Sequence, residues 1–452
     1  MLSAKHFILI ILSLAELFLF GGIQFGWFAL VFILKQEGVF KSLCVIEQYD
    51  NSTSIAEDCF PQDEQFNLIF SIGIAVFTVV SAINGQLYQA FDVKRIRIIF
   101  IAIGVCGILL FAFTSKEMPW LTLPGLIIVG VAGQSLLISN YIQIPVLLHK
   151  GSSIYLGLLN GCYDSSVLTF MLVKKLYEDG VDKKFTFIGF AVLVIVISGL
   201  CTLLHPSRDR AKPNSNDSKT DANISSKENN NAVVHNTTGV TTELETMGGV
   251  LRHPLFMGFV LWLTAVLLKY LYFLGSANRM MEDILIDKVR VSYFSDVMTF
   301  TMIGSVFSSS IAGYTIQAME KPFSGNRKMV IPLVVTSCLA VLLSALAFVR
   351  TTTVLYVEFV VLTFLRSFIY TVTIEFIRIV FPLKFMSIIF GLVISFSGIL
   401  TLCQYGLFAW TEKYDTAMSH VNGFLMCAST ISLLYPILVA FSQGRKKRYN
   451  LS

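Results

Sequence analysis

Among the ionisable side chains inside long apolar stretches of the sequence, five are candidates for a functional role: Glu16, Asp164, Lys269, Arg366 and Glu375. A charge at the centre of a membrane span costs about 2.5–3.5 kcal/mol on insertion scales, so each one needs a physical reason. Arg366 and Asp164 fall near the middle of their stretches. Lys269 and Glu375 are nearer the ends, where a side chain can extend toward the membrane surface. Opposite charges at membrane depth predict either a site that binds a polar solute or a structural ion pair.

The first apolar stretch carries a carboxylate, an amide and an indole, on Glu16, Gln24 and Trp27. At about 100° per residue, the eleven steps from Glu16 to Trp27 return to within about 20° of the same helix face, and Gln24 lies about 60° from Trp27. Such a face could hydrogen-bond and stack a flat polar solute. The alternative is close helix packing, which the spacing of Gly22 and Gly26 also favours.

Several kinds of catalytic chemistry are excluded by what the apolar stretches lack. The six histidines fall in loops or near the ends of stretches, and no pair has the spacing of metal ligands within one stretch. The sequence contains no phosphate-binding P-loop, and no Ser-His-Asp set can be assembled at membrane depth. We therefore predict that the protein is not an enzyme and has no metal ion or cofactor. The chemistry that remains is binding and release.

These side chains are positioned by a chain that is too apolar for a soluble domain. Of its 452 residues, 55% are hydrophobic and 14% are charged, and the mean hydropathy is +0.71. Soluble domains carry about 25% charged residues. Only helices and closed barrels satisfy the backbone in lipid, and stretches of about 20 residues favour helices. The prediction is an all-α polytopic membrane protein with 12 transmembrane helices at 7–34, 66–88, 97–115, 120–145, 153–174, 185–204, 254–277, 293–316, 329–349, 353–378, 386–410 and 419–441.

A polar segment divides the spans into two sets of six. It is rich in Asn, Ser, Thr and Lys and has too few apolar residues to fold. A short repeat supports the division, because G-x-x-x-Q-A begins at Gly85 after span 2 and at Gly313 after span 8. The predicted parts are an N-terminal six-helix bundle, a disordered cytoplasmic linker, a C-terminal six-helix bundle and a basic tail, at 1–204, 205–250, 251–441 and 442–452.

This layout resembles the major facilitator superfamily, in which two halves rock about a central site near the membrane midplane. The superfamily's loop between spans 2 and 3 usually reads G-x-L-x-D-R. Here Gln89-Ala90 and Gln317-Ala318 replace the Asp-Arg pair. The ion-pair latch that this loop forms between conformations therefore lacks its residues.

Basic residues cluster on one side of the predicted spans, which sets the orientation because positively charged loops stay inside. With both termini in the cytoplasm, the cytoplasmic loops hold Lys94, Arg95, Arg97, Lys321, Arg327 and Lys328. The loop between spans 1 and 2 is acidic and would face outward from the plasma membrane. There Asn51 begins a glycosylation sequon, and Cys44 and Cys59 could close a disulfide in an oxidising space. The net charge of +5 is spread over the loops, so we predict no binding of nucleic acid.

Short motifs in both halves resemble solute carrier family 43, which contains an equilibrative nucleobase transporter and facilitative large neutral amino acid transporters. The resemblance covers both sets of six spans and omits the central linker. The motifs that carry it are Glu16 eleven residues before Trp27, Phe25-Gly26-Trp27, Asn160-Gly161 leading into Asp164-Ser165-Ser166, Lys175-Leu176-Tyr177-Glu178, Trp262 through Gly275, Arg366-Ser367-Phe368 and Phe390-Gly391-Leu392-Val393.

Two of these motifs look like the nucleobase branch of that family. They are Asp164-Ser165-Ser166 and the stretch from Arg366 to Tyr370, and Gln143 in span 4 also fits that branch. The resemblance implies a facilitator that moves purine nucleobases such as adenine by alternating access, and we predict that it is a monomer. The rim of the base would be bound by Gln143, Asp164, Ser165 and Arg366, with Glu16, Gln24 and Tyr370 beside them. Trp27 could offer a stacking surface.

Three alternatives remain open on the sequence alone. A large neutral amino acid could place its carboxylate on Arg366 and its ammonium on Asp164. Transport could be coupled to protons through Glu16 or Asp164. The chain could also be a membrane sensor or partner protein that transports nothing, since the Asp-Arg latch is missing twice.

Overall fold

The computed structural model describes residues 4–48, 55–58, 60–148, 151–205, 246–285, 288–414 and 416–442. Before the linker its α-helices are α1 (Ala4–Glu16), α2 (Trp27–Gln36), α3 (Phe60–Ala90), α4 (Val93–Phe113), α5 (Thr122–Leu147), α6 (Ser152–Ser165), α7 (Val167–Glu178) and α8 (Lys183–Leu204). After it come α9 (Met247–Arg252), α10 (Pro254–Leu285), α11 (Lys288–Ile303), α12 (Ser305–Met319), α13 (Val330–Leu346), α14 (Thr352–Val380), α15 (Met386–Thr401), α16 (Cys403–Lys413), α17 (Ala417–Ser432) and α18 (Leu434–Ser442). Strands β1 (Val45–Gln48) and β2 (Ile55–Asp58) form one antiparallel pair.

The helices agree with the predicted membrane architecture. Within the described ranges, eleven are long and apolar enough to cross a membrane, and a pair bent by 43° at Gly304 makes up to twelve. Large apolar side chains cover the outside of the bundle; Phe307 is 77% exposed and Phe185 is 73% exposed. An apolar surface of this kind suits lipid rather than water. The all-α class and the multi-pass membrane topology are confirmed, and 206–245 and 443–452, within the predicted linker and tail, lie outside the described residues.

The first span is not one regular α-helix, and the prediction of a single face through Glu16 and Trp27 was wrong in this respect. A π-helical turn at Leu17–Gly21 and a 3₁₀ turn at Ile23–Gly26 separate α1 from α2. The cause is close packing on the helices of span 5. A methyl group on Gly22 would lie 2.6 Å from the Tyr163 carbonyl oxygen, and one on Gly26 would lie 2.8 Å from that of Val167. The two glycines therefore have the packing role that was the alternative reading of their spacing.

Two helix pairs make the most extensive contacts between the parts of the chain before and after the linker. Helix α3 crosses α15, and α6 crosses α12. The first crossing is reciprocal: a methyl group on Gly85 would lie 2.3 Å from the Ser387 carbonyl oxygen, and one on Gly391 would lie 2.4 Å from that of Ser81. In each helix the serine stands four residues before the glycine. Only a glycine allows the backbones to approach so closely.

The second crossing repeats this arrangement. A methyl group on Gly157 would lie 2.3 Å from the Ser309 carbonyl oxygen, and one on Gly313 would lie 2.5 Å from that of Ser153. All four helices thus use the pattern Ser-x-x-x-Gly, and Gly85 and Gly313 are the first residues of the repeated G-x-x-x-Q-A motif. The contacts lie near the helix ends that adjoin the basic connections. We call this end of the molecule the basic side, defined by Lys94, Arg95, Lys321, Arg327 and Lys328.

Candidate functional site

Arg366 and Asp164 form a direct ion pair in the interior of the bundle. Arg366 Nη2 lies 2.8 Å from Asp164 Oδ1, and the two side chains are 2% and 3% exposed. Asp164 is near the centre of the span Ser152–Glu178, and Arg366 near the centre of Thr352–Val380. The pair therefore lies at mid-membrane and links a helix that precedes the linker to one that follows it.

Aromatic side chains surround the pair. The guanidinium carbon of Arg366 lies 4.6 Å from the centre of the Phe25 ring, which is the geometry of a cation–π contact. Tyr163, Tyr270 and Tyr370 are all close enough to Arg366 to interact with its charge. The site thus combines two full charges with flat, polarisable surfaces.

Three polar atoms of this cluster are buried and have no hydrogen-bond partner among the described residues. They are Asp164 Oδ2, Arg366 Nε and the Tyr163 hydroxyl oxygen. Buried polar groups are nearly always paired, so each such atom calls for an explanation. An unpaired acceptor and an unpaired donor stand here on the two partners of one ion pair. That arrangement can hydrogen-bond a molecule with a donor and an acceptor on the same edge.

The remaining predicted residues of spans 4, 5 and 10 lie in different surroundings. Ser165 donates its hydroxyl proton to the Ile303 carbonyl oxygen at 3.0 Å, beside the bend of span 8. Tyr370 lies one helical turn after Arg366 and is half-buried. Gln143 is 9% exposed, and the structure gives its amide no hydrogen bond to the residues described.

Gln24 and Trp27 occupy separate places along the first span. Gln24 is buried, its Nε2 atom has no partner among the described residues, and its oxygen fills the space over Gly130, where a methyl group would lie 1.7 Å away. Trp27 is 1% exposed, with its ring centre 6.2 Å from that of Phe66 and 6.4 Å from that of Phe70. In this conformation the indole belongs to the apolar core.

Glu16 has a partner that the sequence analysis placed in a loop. Arg97 Nη2 donates to Glu16 Oε1 at 2.6 Å, and both side chains are fully buried. Asn140 donates to the other carboxylate oxygen at 3.1 Å, and Arg97 also donates to Ser139 and Thr202. The assignment of Arg97 to a cytoplasmic loop was wrong, because α4 begins at Val93 and carries this residue one turn into the bundle. Both carboxylate oxygens of Glu16 are thus paired, within a polar network among four helices.

His205 borders this network just beyond the end of α8. Its ring Nδ1 lies 2.9 Å from the Cys201 carbonyl oxygen, and the side chain is 1% exposed. Burial, together with the nearby charges of Arg97 and Lys94, lowers the pKa of His205 from 6.5 to about 3. The ring is therefore neutral at physiological pH, and its Nδ1–H group donates a hydrogen bond to the Cys201 carbonyl oxygen.

Several residues of the site were missed by the sequence analysis. Phe25, Tyr163 and Tyr270 each adjoin a residue that it singled out, yet an aromatic residue in an apolar span carries no signal of its own. Tyr141 was also missed; its hydroxyl donates to the Asn160 side-chain oxygen beside this cluster. Contacts between distant helices, rather than sequence spacing, bring these rings together.

The predicted glycosylation site and one cysteine of the predicted disulfide lie outside the residues that the structure describes. Asn51 and Cys59 lie outside the described residues, whereas Cys44 is disulfide-bonded. No group of three His, Cys, Asp or Glu side chains that could hold a metal ion occurs in the part of the chain that the structure describes.

Two groups of known transport proteins are similar in sequence to this chain. No protein-family model matches the chain. The equilibrative nucleobase transporter 1 of Bos taurus is 26% identical to it, over 97% of this chain and 96% of that protein. The large neutral amino acids transporter small subunit 3 of Homo sapiens is 29% identical, over only 42% of this chain and 34% of that protein. The resemblance to solute carrier family 43 is confirmed.

Coverage along the chain separates the nucleobase branch from the amino acid branch, and a solved structure identifies the fold. The match to the nucleobase transporter extends along nearly the whole chain, so the resemblance is closer to that branch. Among solved structures, the E. coli fucose:proton symporter superposes with a TM-score of 0.54 at 12% identity, over 96% of this chain and 99% of that one. The major facilitator fold is confirmed. All three proteins are transport proteins by name, in agreement with the transport function predicted from the sequence.

Proposed function

We propose that the protein is a facilitative membrane transporter that works by alternating access around the Arg366–Asp164 pair. Two bodies, 1–204 and 251–441, would rock against each other while 205–250 links them and 442–452 forms a basic tail. The observation that carries the proposal is the buried ion pair itself. It joins a helix of each body at the centre of the membrane and retains an unpaired donor and acceptor. A solute that binds these atoms would contact both bodies at once.

The crossings on the basic side support a cycle of this kind. Four Ser-x-x-x-Gly helices close that side tightly, so the basic side forms the closed gate of this conformation. Opening it requires α3 to separate from α15 and α6 from α12. The helices meet there through glycines and backbone carbonyl oxygens rather than through long side chains. They can therefore separate without the rearrangement of large side chains.

We further propose that the substrate is a purine nucleobase of the adenine type. Its edge offers an N–H donor beside a ring-nitrogen acceptor, which complements Asp164 Oδ2 and Arg366 Nε. The surrounding rings of Phe25, Tyr163 and Tyr370 suit a flat aromatic solute. Similarity to a nucleobase transporter along nearly the whole chain supports this choice.

A large neutral amino acid is the second candidate, and one observation favours it. An ion pair of opposite charges also complements a zwitterion, with the carboxylate on Arg366 and the ammonium on Asp164. Similarity to an amino acid transporter over 42% of the chain is in line with this alternative. Aromatic side chains can line a site for a leucine-like solute as well as for adenine, so the uptake of the two solutes has to be compared directly.

We propose that the basic side faces the cytoplasm, with both termini, because positively charged connections tend to stay inside, and that the protein lies in the plasma membrane. On that assignment the acidic loop between spans 1 and 2 faces outward, where Asn51 would be glycosylated and Cys44 would pair with Cys59. We also propose that the transporter is a monomer, because its substrate pathway lies within one chain.

Uptake into cells that express the chain tests these proposals. Labelled adenine should accumulate in a saturable manner, should equilibrate without concentrating, and should be displaced by unlabelled adenine but not by leucine. Saturable leucine uptake without adenine flux would move the assignment to the second candidate. Strong dependence on a pH gradient would indicate proton coupling. Purified protein in liposomes that moves neither solute would favour a sensor or partner protein.

A further inference from the structure

A small cavity lies in the second half of the chain, away from the Arg366–Asp164 pair. Helix α10 lines it with Lys269 and Ser276, the end of span 9 with Arg350, and α17 with Asn422. The volume of the cavity is about 20 Å³, which is room for about one water-sized particle. A space of this size suits a water molecule or a monatomic ion rather than an organic molecule.

Lys269 brings a positive charge into this cavity without a direct partner. The residue is 1% exposed, and among the described residues its ammonium forms no hydrogen bond and no ion pair within 4.0 Å. Glu358 attracts it through space and is itself 2% exposed. Removal of an ammonium from water costs several kcal/mol unless other groups compensate. A buried Lys269 therefore calls for a negative charge closer than the Glu358 carboxylate.

Two other polar side chains of the cavity, on Asn422 and Arg350, can act as donors. Asn422 is 7% exposed, and its side chain has no hydrogen-bond partner among the described residues. Arg350 is exposed at the edge of the cavity and adds a second positive charge. The Ser276 hydroxyl donates to the Tyr272 carbonyl oxygen at 2.8 Å, so its proton is already used. The amide N–H groups of Asn422 and the guanidinium of Arg350 suit an anion, and an anion here would also compensate the buried charge of Lys269.

We propose that this cavity binds one monovalent inorganic anion of the size of chloride. Lys269 and Asn422 would donate to the ion, and Arg350 would attract it to the entrance. The ion would tie α10 to α17 and so stabilise the second half of the chain. Tyr270, the residue after Lys269, belongs to the ring cluster around Arg366, so the anion would also steady one wall of the proposed substrate site.

A titration of the purified full-length protein tests this site without any transport measurement. Sodium chloride replaces sodium gluconate at constant ionic strength, and the Tm is followed by intrinsic fluorescence. The Tm should rise with chloride and level off, bromide should act in the same way, and gluconate should have no effect. Equal Tm values in chloride and gluconate would overturn the proposal.

Three variants and one control assign the effect to the cavity. Lys269→Met should raise the chloride concentration of half-effect about tenfold or more, since it removes a charged donor, whereas Lys175→Met, at an exposed position on α7, should leave it unchanged. Glu358→Gln should lower the half-effect concentration, because it removes the competing negative charge. If Lys269→Met does not fold, Asn422→Leu should weaken the response several-fold. Retention of the full response in Lys269→Met or Asn422→Leu would refute the site.

Discussion

Arg378 Nη2 on α14 donates a hydrogen bond of 3.2 Å to Ser153 Oγ at the start of α6. The same guanidinium pairs with the buried Glu375 at 2.6 Å, one turn earlier on its own helix. Ser153 is the serine whose carbonyl oxygen contacts Gly313. The ion pair of α14 thus reaches across the α6–α12 crossing on the basic side. It provides a polar tie between a helix before the linker and one after it, and in the proposed alternating-access cycle this tie would help to hold the gate closed.

The first prediction follows from this tie. Ser153→Ala removes the hydrogen bond but leaves Glu375 with its cation, and it should shift the conformational balance toward opening on the basic side. One hydrogen bond to a charged group contributes about 1.5–3 kcal/mol, so the shift should be about tenfold or more. Ser152→Ala is the matched control. Equal labelling rates of the buried Cys162 by a maleimide in both variants would argue against the tie.

The second prediction concerns the glycines of the gate. Gly85→Ala and Gly313→Ala should each lower the rate of uptake at normal surface abundance, because a methyl group would meet a backbone carbonyl oxygen at 2.3 Å and 2.5 Å. Overpacking of this kind typically costs about 1–3 kcal/mol in the closed conformation. Gly189→Ala, where nothing lies within 4 Å, should transport normally. Unchanged uptake in both gate variants would show that the crossings do not control transport.

The third prediction separates the binding and structural roles of the central pair. Arg366→Gln or Asp164→Asn alone leaves a buried charge without its partner, which costs about 3–5 kcal/mol, so the amount of folded protein should fall. The double variant removes both charges and should recover much of that amount without recovering uptake. Surface biotinylation and uptake measure the two effects. Uptake by the double variant at the wild-type rate would leave the pair with a structural role only.

The fourth prediction distinguishes Glu16 from the central pair. Glu16→Gln should reduce stability, since it weakens the ion pair with Arg97 inside a dry network, while the KM for adenine should stay within about twofold. Conservative replacement of Arg97 by Lys should resemble it, because one ammonium cannot reproduce the contacts to Glu16, Ser139 and Thr202. A large rise in the KM for adenine in Glu16→Gln, at normal stability, would instead indicate that Glu16 binds the substrate.

The fifth prediction is a dependence of stability on pH through His205. Its pKa is about 3 in the folded protein and about 6.5 in the unfolded chain, so the unfolded chain binds the extra proton between these values. Folding stability should therefore fall as the pH drops below about 6.5, by about 2 kcal/mol at pH 5 from this residue. In His205→Gln the decline in Tm between pH 7.5 and 5 should be smaller. Identical declines would mean that the ring is not held neutral.

The sequence by itself determined the class of the protein, because a chain in lipid can satisfy its backbone hydrogen bonds only as helices or as a closed barrel. Long apolar stretches had to become helices, and the rare charges within them had to face the interior. Asp164 and Arg366 could therefore be identified as central residues from their positions alone. Span number and the apolar outer surface follow from the same physical rule.

Tertiary structure decided what those residues contact. Arg97 looked like a loop residue beside Lys94 and Arg95, and only the packing of α1 against α4 and α5 shows it buried on Glu16. The face from Glu16 to Trp27 failed because close approach to Tyr163 and its neighbours breaks the helix. Local spacing predicts which side of a regular helix a residue occupies. It cannot predict where a helix is interrupted, or which distant ring or carbonyl oxygen lies opposite, because those contacts are made by segments far apart in the chain.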